Sequence, residues 1–274
     1  MLPQWTTTLS HGIASVSAAN DARLKLQEIA AKSLGGVAAD YVLGNERVYR
    51  RNSPSRGLSY AQAAARAIEL GGKYDGHELP ADIHAFTKRS AAALAGLGLM
   101  GVAKDTYPRD GDTYSFVVGF AEVEVDVETG HIRLVDYLAV GDVGTVINPR
   151  SLGGQVLGGG CLGIGHALTQ KTVYDQQYGV PLAMRFHTNK PLTLLDVPAD
   201  GLHHGALDIP DPETPVGARG VGEPPVGAGV GAVLAAIVNA VGDDVFRRCP
   251  VTPDVILASL DAGHRAHDVL AAYI

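Results

Sequence analysis

One carboxylate in this 274-residue chain is set apart by its neighbours. Glu223 lies in Ala218-Arg219-Gly220-Val221-Gly222-Glu223-Pro224-Pro225, among glycines and prolines, with only Arg219 for charged company. Glycine lets backbone approach a bound group closely, and proline stiffens the chain and removes a backbone donor. Such a stretch is shaped, not slack. A carboxylate held in an apolar, partly dry pocket has its charged form disfavoured, so its pKa rises and it becomes a usable proton acceptor near neutral pH. The residues alone leave a second reading open, an exposed Glu on a Gly/Pro-rich surface turn.

Other candidates carry weaker chemistry. Gly158, Gly160 and Gly163 satisfy G-x-G-x-x-G, but a dinucleotide site needs a buried strand immediately before that motif and an acid about 20 residues after it. Here Asn148-Pro149-Arg150 and a helix start precede it, so the dinucleotide reading is set aside. His166 reads as a helix-borne histidine packed by its neighbours, and Cys161 as a small buried residue. His203, His204, Asp208 and Asp211 have no spacing that fixes a metal geometry and read as a solvated loop. A Gly-x-Ser-x-Gly elbow is absent, which removes support for serine hydrolase chemistry.

The elements that must position Glu223 follow from periodicity. Residues 17–31 form a helix with Ala22, Leu26, Ile29, Ala30 and, just beyond, Ser33 on one side. A second helix opens at Ser59, where Gln62 completes a capping box, and stops at Gly71-Gly72. Asn45 to Arg50 is a turn and a short strand. From Ser115 apolar residues alternate through Val117, Phe120, Val123, Val125 and Val127 to Glu128-Thr129-Gly130, then through Ile132, Leu134 and Tyr137, which predicts a β-hairpin. Asn148-Pro149 ends the loop after it and starts a new element.

That element, residues 151–170, is the most glycine-rich part of a chain with 34 glycines. Each glycine inside a helix costs about 1 kcal/mol relative to alanine, so the segment is either an irregular loop or a helix tightly apposed to another helix or a flat ligand. The second is expected. A strand near residues 171–174 and a long irregular region over 180–225 lead to Glu223; loops of that length tend to be functional. A buried Ala/Val-rich helix over 226–241 follows, and Thr252-Pro253-Asp254 caps a last short helix.

Composition bounds the class. With 46% hydrophobic residues the chain can bury a core. A formal net charge of -7 without a Lys/Arg run gives no footprint for nucleic acid or an anionic membrane. Cys161 and Cys249 are far apart and lack zinc or iron-sulfur spacing. Reduced thiols and a cytoplasmic location are expected, with neither a signal peptide nor a membrane span.

Three motifs taken in order resemble the molybdenum hydroxylases, the family of xanthine dehydrogenase, aldehyde oxidoreductase and carbon monoxide dehydrogenase. They are Asp142-Val143-Gly144 with Ile147-Asn148-Pro149; Gly154-Gln155-Val156-Leu157-Gly158-Gly159 with Gly163-Ile164-Gly165; and Gly220-Val221-Gly222-Glu223-Pro224-Pro225. Thr7-Thr8-Leu9-Ser10 and Cys249-Pro250-Val251-Thr252-Pro253 are similar to family positions as well. The resemblance implies an α+β fold of mixed helices and β-hairpins, with residues 1–274 as the second molybdopterin-binding domain, the C-terminal half of a split large subunit. It implies that Glu223 is the base that takes the proton from a molybdenum hydroxyl, while water-derived oxygen is transferred to an electron-poor carbon of an N-heterocycle or aldehyde.

Residue by residue, the resemblance puts Gln155, Gly158 and Gly159 against the cofactor. Arg219, Gly220, Val221 and Gly222 belong to the same cradle, and Thr7, Thr8 and Ser10 match hydroxyl and amide donors to it. Arg219 stands where lysine is more usual, keeping the charge and changing the donor geometry. The implied cofactor is molybdopterin, in its cytosine dinucleotide form, with molybdenum held by the pterin and by no protein ligand. Implied partners are the other half of the large subunit, a subunit with 2Fe-2S clusters, and an FAD subunit, since this chain has too few cysteines for a cluster. Two alternatives stay open: the same cradle used for hydration or reductive dehydroxylation, and a non-catalytic cofactor-assembly subunit.

Overall fold

A computed structural model describes residues 7–104, 110–242 and 249–262. The chain is an α+β fold that divides into two compact units, one of residues 9–111 with 213–215, the other of residues 1–8, 112–212 and 216–274.

The first unit takes α1 (Thr7–Leu34) from Leu9 onward. This helix starts ten residues before the expected position, so Thr7, Thr8 and Ser10 lie in its first turns; their side chains lie outside the described residues. Leu26, Ile29 and Ala30 of α1 are buried with Tyr41, Val48, Ala63 and Ala67. These come from an antiparallel sheet of β1 (Tyr41–Gly44), β2 (Arg47–Arg50) and β3 (Ser53–Ser59), and from α2 (Tyr60–Leu70). The capping box is present: Ser59 Oγ accepts from the Gln62 amide, and Gln62 Oε1 accepts from the Ser59 amide at 2.9 Å. A short α3 (Ala85–Ala92) follows.

The second unit is built on the hairpin of β4 (Phe116–Val125) and β5 (Ile132–Asp142), antiparallel, with β6 (Leu202–Ala206) added parallel to β5. Two helices cover one face, α4 (Pro149–Leu168) and α6 (Pro224–Val241), and α7 (Pro253–Ala262) closes the core. Tyr137, Val156, Ile164, Val233, Ile237, Val251 and Ile256 are all at most 1% exposed, each burial contributing on the order of 1.5–3 kcal/mol. Gly119 lets α6 touch the sheet, for a β-carbon there would meet the Ala228 carbonyl oxygen at 2.6 Å.

Several expectations change here. The strand near residues 171–174 is only an isolated bridge between Tyr174 and Pro181, and the region after it contains α5 (Phe186–Asn189) and β6. Among the described helices, α6 alone has the length and mean hydropathy, 1.7 over 18 residues, that would suit a membrane. Its apolarity comes from uncharged Gly, Ala and Val, and it lies on β4 and α4 with Val233 and Ile237 fully buried.

Candidate functional site

The glycine-rich segment is a helix, and its glycines divide into two sets. Gly159, Gly160 and Gly163 of α4 face inward. A β-carbon on Gly163 would come within 2.2 Å of the Val226 carbonyl oxygen, one on Gly159 within 2.8 Å of Pro225, and one on Gly160 within 2.6 Å of the Tyr137 ring. Gly229 of α6 reciprocates against the Gly160 carbonyl. Backbone therefore meets backbone, and the matched order of contacts makes the two helices run in the same direction. The second set, Gly154 and Gly158 on α4 with Gly227 and Gly231 on α6, has nothing within 4 Å of where a side chain would start. Those positions leave exposed backbone with room for a flat group.

The G-x-G-x-x-G spacing thus falls inside α4 instead of in a strand-to-helix turn, which accounts for its mixed glycines. Asn148 caps the helix, its Oδ1 accepting from the Ser151 amide at 3.0 Å, with Pro149 at the first helical position.

Beside this N-terminus opens a cleft of about 300 Å³ whose lining includes Val143, Ile147, Asn148, Gln155, Arg219 and Val221. Gln155 is exposed and has no hydrogen-bond partner among the described residues. Glu223 is not in the lining. It follows Val221 by two residues, sits exposed as the N-cap of α6, and makes no side-chain capping bond. Since Gly159 meets Pro225, Gln155 one turn earlier and Glu223 two residues earlier come to the same end of the helix pair. Within this chain Glu223 has no dry pocket around it, which corrects the enclosed surroundings expected from its neighbours.

The stretch before Glu223 is held firmly. Arg219 donates through Nε to Asp211 and through a terminal nitrogen to Asp142, both at 2.7 Å. These carboxylates raise the affinity of the guanidinium for its proton, Asp211 most strongly. Main-chain bonds add to this: Arg219 N to Val143 O and Thr145 N to Gly217 O, each 2.7 Å, with a bridge between Gly144 and Ala218. Ser115 Oγ donates to the buried Gly220 carbonyl. Gly217 has a φ of +71° and presses against Thr145 and Pro210, a backbone conformation and a contact that only glycine accommodates.

The remaining candidates separate. Asp208 Oδ1 accepts from the Val146 amide at 2.7 Å, Asp211 belongs to the Arg219 pair, and His203 Nε2 lies 3.4 Å from Asp136. The His204 ring fills the space beside Gly153. Among the described residues no group of three metal-ligating side chains converges. His166 is exposed on α4, not packed by its neighbours, because it continues the outward stripe of Gly154, Gly158 and Leu162. Cys161 is half-buried, and burial pushes its thiol up. A separate cleft of about 360 Å³ between Arg133, Leu168, Leu192 and Val251 contains none of the sequence-predicted site residues. The roles of Asp142 and Asp211 were missed from sequence. Asp142 lay inside a recognised motif, but a pairing 77 residues apart has no local signature.

Residues 6–198 match the model of the molybdopterin cofactor-binding domain. The chain belongs to that family, the molybdenum hydroxylases. The matched range ends before Glu223. The gamma subunit of the 6-hydroxypseudooxynicotine dehydrogenase complex of Paenarthrobacter nicotinovorans is 29% identical over 191 residues, 69% of this chain and 23% of that protein. Among solved structures, the Cu,Mo-CO dehydrogenase superposes with a TM-score of 0.67 at 26% identity, covering 90% of this chain and 28% of that one. Quinoline 2-oxidoreductase from Pseudomonas putida 86 gives 0.63 at 26% identity, covering 89% and 28%. This chain thus spans about a quarter of the length of such relatives.

Proposed function

We propose that this chain supplies one half of the molybdenum cofactor site of an oxidoreductase, with Glu223 as its base. The observation that carries the reading is the convergence at one end of the α4/α6 pair. There the exposed, unpartnered Gln155 lines one cleft with the rigidly held Arg219 and with Val221, and the uncapped Glu223 follows Val221 by two residues. The fit to a molybdopterin is physical: open backbone at Gly154 and Gly158, beside Gln155 on α4, suits a flat ring system, and the free amide of Gln155 suits hydrogen bonding to it. Gly159, by contrast, is occupied by Pro225 and serves helix packing. Thr7, Thr8 and Ser10 remain proposed hydroxyl donors to the same group.

The bound cofactor, proposed in its cytosine dinucleotide form, supplies the two-electron chemistry and activates water. This chain supplies the proton acceptor. As water-derived oxygen is transferred to an electron-poor carbon, a Glu223 carboxylate oxygen takes up the released proton. An N-heterocycle or an aldehyde fits this chemistry; the similarity to quinoline 2-oxidoreductase supports the former. Iron-sulfur and FAD-bearing subunits would carry the electrons away, and two free thiols suit a reducing, cytoplasmic setting.

The test uses the complex co-expressed with its partner subunits, assayed on a panel of N-heterocycles and aldehydes in heavy-oxygen water with a dye acceptor. Glu223→Gln should lower turnover by roughly 10²–10⁴-fold while the molybdenum content stays at the parent level. Heavy oxygen in the product without acceptor reduction would mean hydration, and loss of a substrate hydroxyl coupled to oxidation of a reduced dye, supplied as electron donor in a parallel assay, would mean reductive chemistry. Undiminished turnover in Glu223→Gln would leave a cofactor-assembly role.

A further inference from the structure

We infer that Arg219 positions the base and does not hold the cofactor. The inference rests on Glu223 being the base, and its test separates the two. Arg219 belongs to a three-residue ion cluster with Asp142, the last residue of β5, and Asp211, only 4% exposed. Both bonds are 2.7 Å, and the Arg219 side chain is 19% exposed. Two carboxylates against one guanidinium leave the cluster net negative, so it repels an anionic phosphate where an unpaired arginine would attract one. The charge of Arg219 is spent inside the chain.

What the cluster does accomplish is mechanical. It ties the Arg219 stretch to the end of β5 and to the segment at Asp211, at the same level as the main-chain bonds from Arg219 to Val143 and from Thr145 to Gly217. Only Gly220, Val221 and Gly222 separate this anchor from Glu223. Two of those three are glycines, which would otherwise leave the carboxylate free to wander. On the far side, Pro224 and Pro225 open α6, and Pro225 is wedged on Gly159. Glu223 is therefore suspended between two fixed points, the ion cluster and the helix start. Misplacement of a reacting group by about 1 Å costs on the order of 10²-fold in rate, which is the scale of effect that loss of the anchor should produce.

The experiment compares Arg219→Met, Arg219→Lys, Asp211→Asn and the double variant Arg219→Met with Asp211→Asn in the assembled complex. Molybdenum content, hydrogen exchange of the peptide covering residues 216–223, and kcat and KM on a substrate from the panel are measured. Arg219→Met and Asp211→Asn should each keep the parent molybdenum content, speed exchange over 216–223, and lower kcat by about 10²-fold with KM little changed. The double variant should be no worse than Arg219→Met alone, because Arg219→Met already removes the bond to Asp211. Lysine, a point charge that cannot serve two carboxylates in a fork, should restore only part of the rate; it also carries the test if Arg219→Met does not accumulate. Loss of molybdenum in Arg219→Met but not in Asp211→Asn would make Arg219 a cofactor ligand and overturn the inference. Unchanged exchange and kcat in both variants would overturn it as well. If instead Glu223→Gln keeps full turnover, the base assignment fails while the exchange result still reports on the anchor.

Discussion

At the level of single residues, what distinguishes this site is which side chains the chain leaves unsatisfied. Gln155 has an amide without a partner, and Glu223 caps no amide although it stands at a helix N-terminus where a carboxylate is favoured. Arg219 is the reverse, fully engaged with Asp142 and Asp211. Cys161 offers a separate check on the packing behind α4. Its thiol is pushed above the ordinary 9.0 by burial, so the reactive thiolate is scarce at neutral pH and forms only as pH climbs past that value. Cys249 is exposed. Iodoacetamide at neutral pH should label Cys249 and spare Cys161, with Cys161 labelling rising only above about pH 9; peptide mapping reads both. Equal labelling at neutral pH would mean that α4 does not pack as described.

Among the elements, α4 and α6 carry the argument, because their glycines do two different jobs. A methyl on Gly163 would strike the Val226 carbonyl oxygen, whereas one on Gly158 would meet nothing. Gly163→Ala should therefore destabilise the fold by about 1–3 kcal/mol, since helices cannot separate without disturbing the core. Gly158→Ala should be neutral or stabilising by up to about 1 kcal/mol, the helix propensity gained, yet should lower molybdenum content in the assembled complex if the cofactor lies on that face. Chemical denaturation and metal analysis give the two readouts. The glycine helix, the Ser59 capping box and the β4/β5 hairpin were legible in the sequence because each rests on local spacing. By contrast β6 was not: Leu202-His203-His204-Gly205-Ala206 has no alternation, and its pairing with β5 joins residues some 65 positions apart, as in Tyr137 with Leu202. The first turns of α1 read as loop because Thr, Ser and Gly are poor helix formers, although the helix extends back through them from residue 17 to Thr7. For Glu223 the stiff surroundings were legible in the sequence but its exposure was not, because enclosure is a property of what packs against a residue, which no local pattern carries.

Taken as a whole molecule, this chain exposes apolar side chains close together on one sheet face. On the sheet face away from α4 and α6, Phe116 is 64% exposed, Val118 55% and Phe120 58%, and the register brings Leu138 opposite Phe120. Beyond α4, Met184 and Phe186 are exposed too. Phenylalanine carries roughly 150–250 Å² of surface, so the sheet patch alone exposes on the order of 300 Å², near the size at which patches on monomers become functional. Covering it at about 25 cal/mol per Å² on each partner yields on the order of 10 kcal/mol gross, comparable with the roughly 4–15 kcal/mol that association costs. The balance favours weak, concentration-dependent self-association of the isolated chain over a tight dimer. Sedimentation velocity should show the mean mass rising with concentration. Phe116→Ser combined with Phe120→Ser should suppress the rise and leave the far-ultraviolet circular dichroism unchanged, because neither side chain contributes to the buried core. A monodisperse monomer at every concentration would show that the patch is too small or too twisted to pair with itself. The same double substitution, made in the co-expressed complex, then asks whether that face is covered there: if subunit recovery is unaffected, the face stays open to solvent in the assembled enzyme.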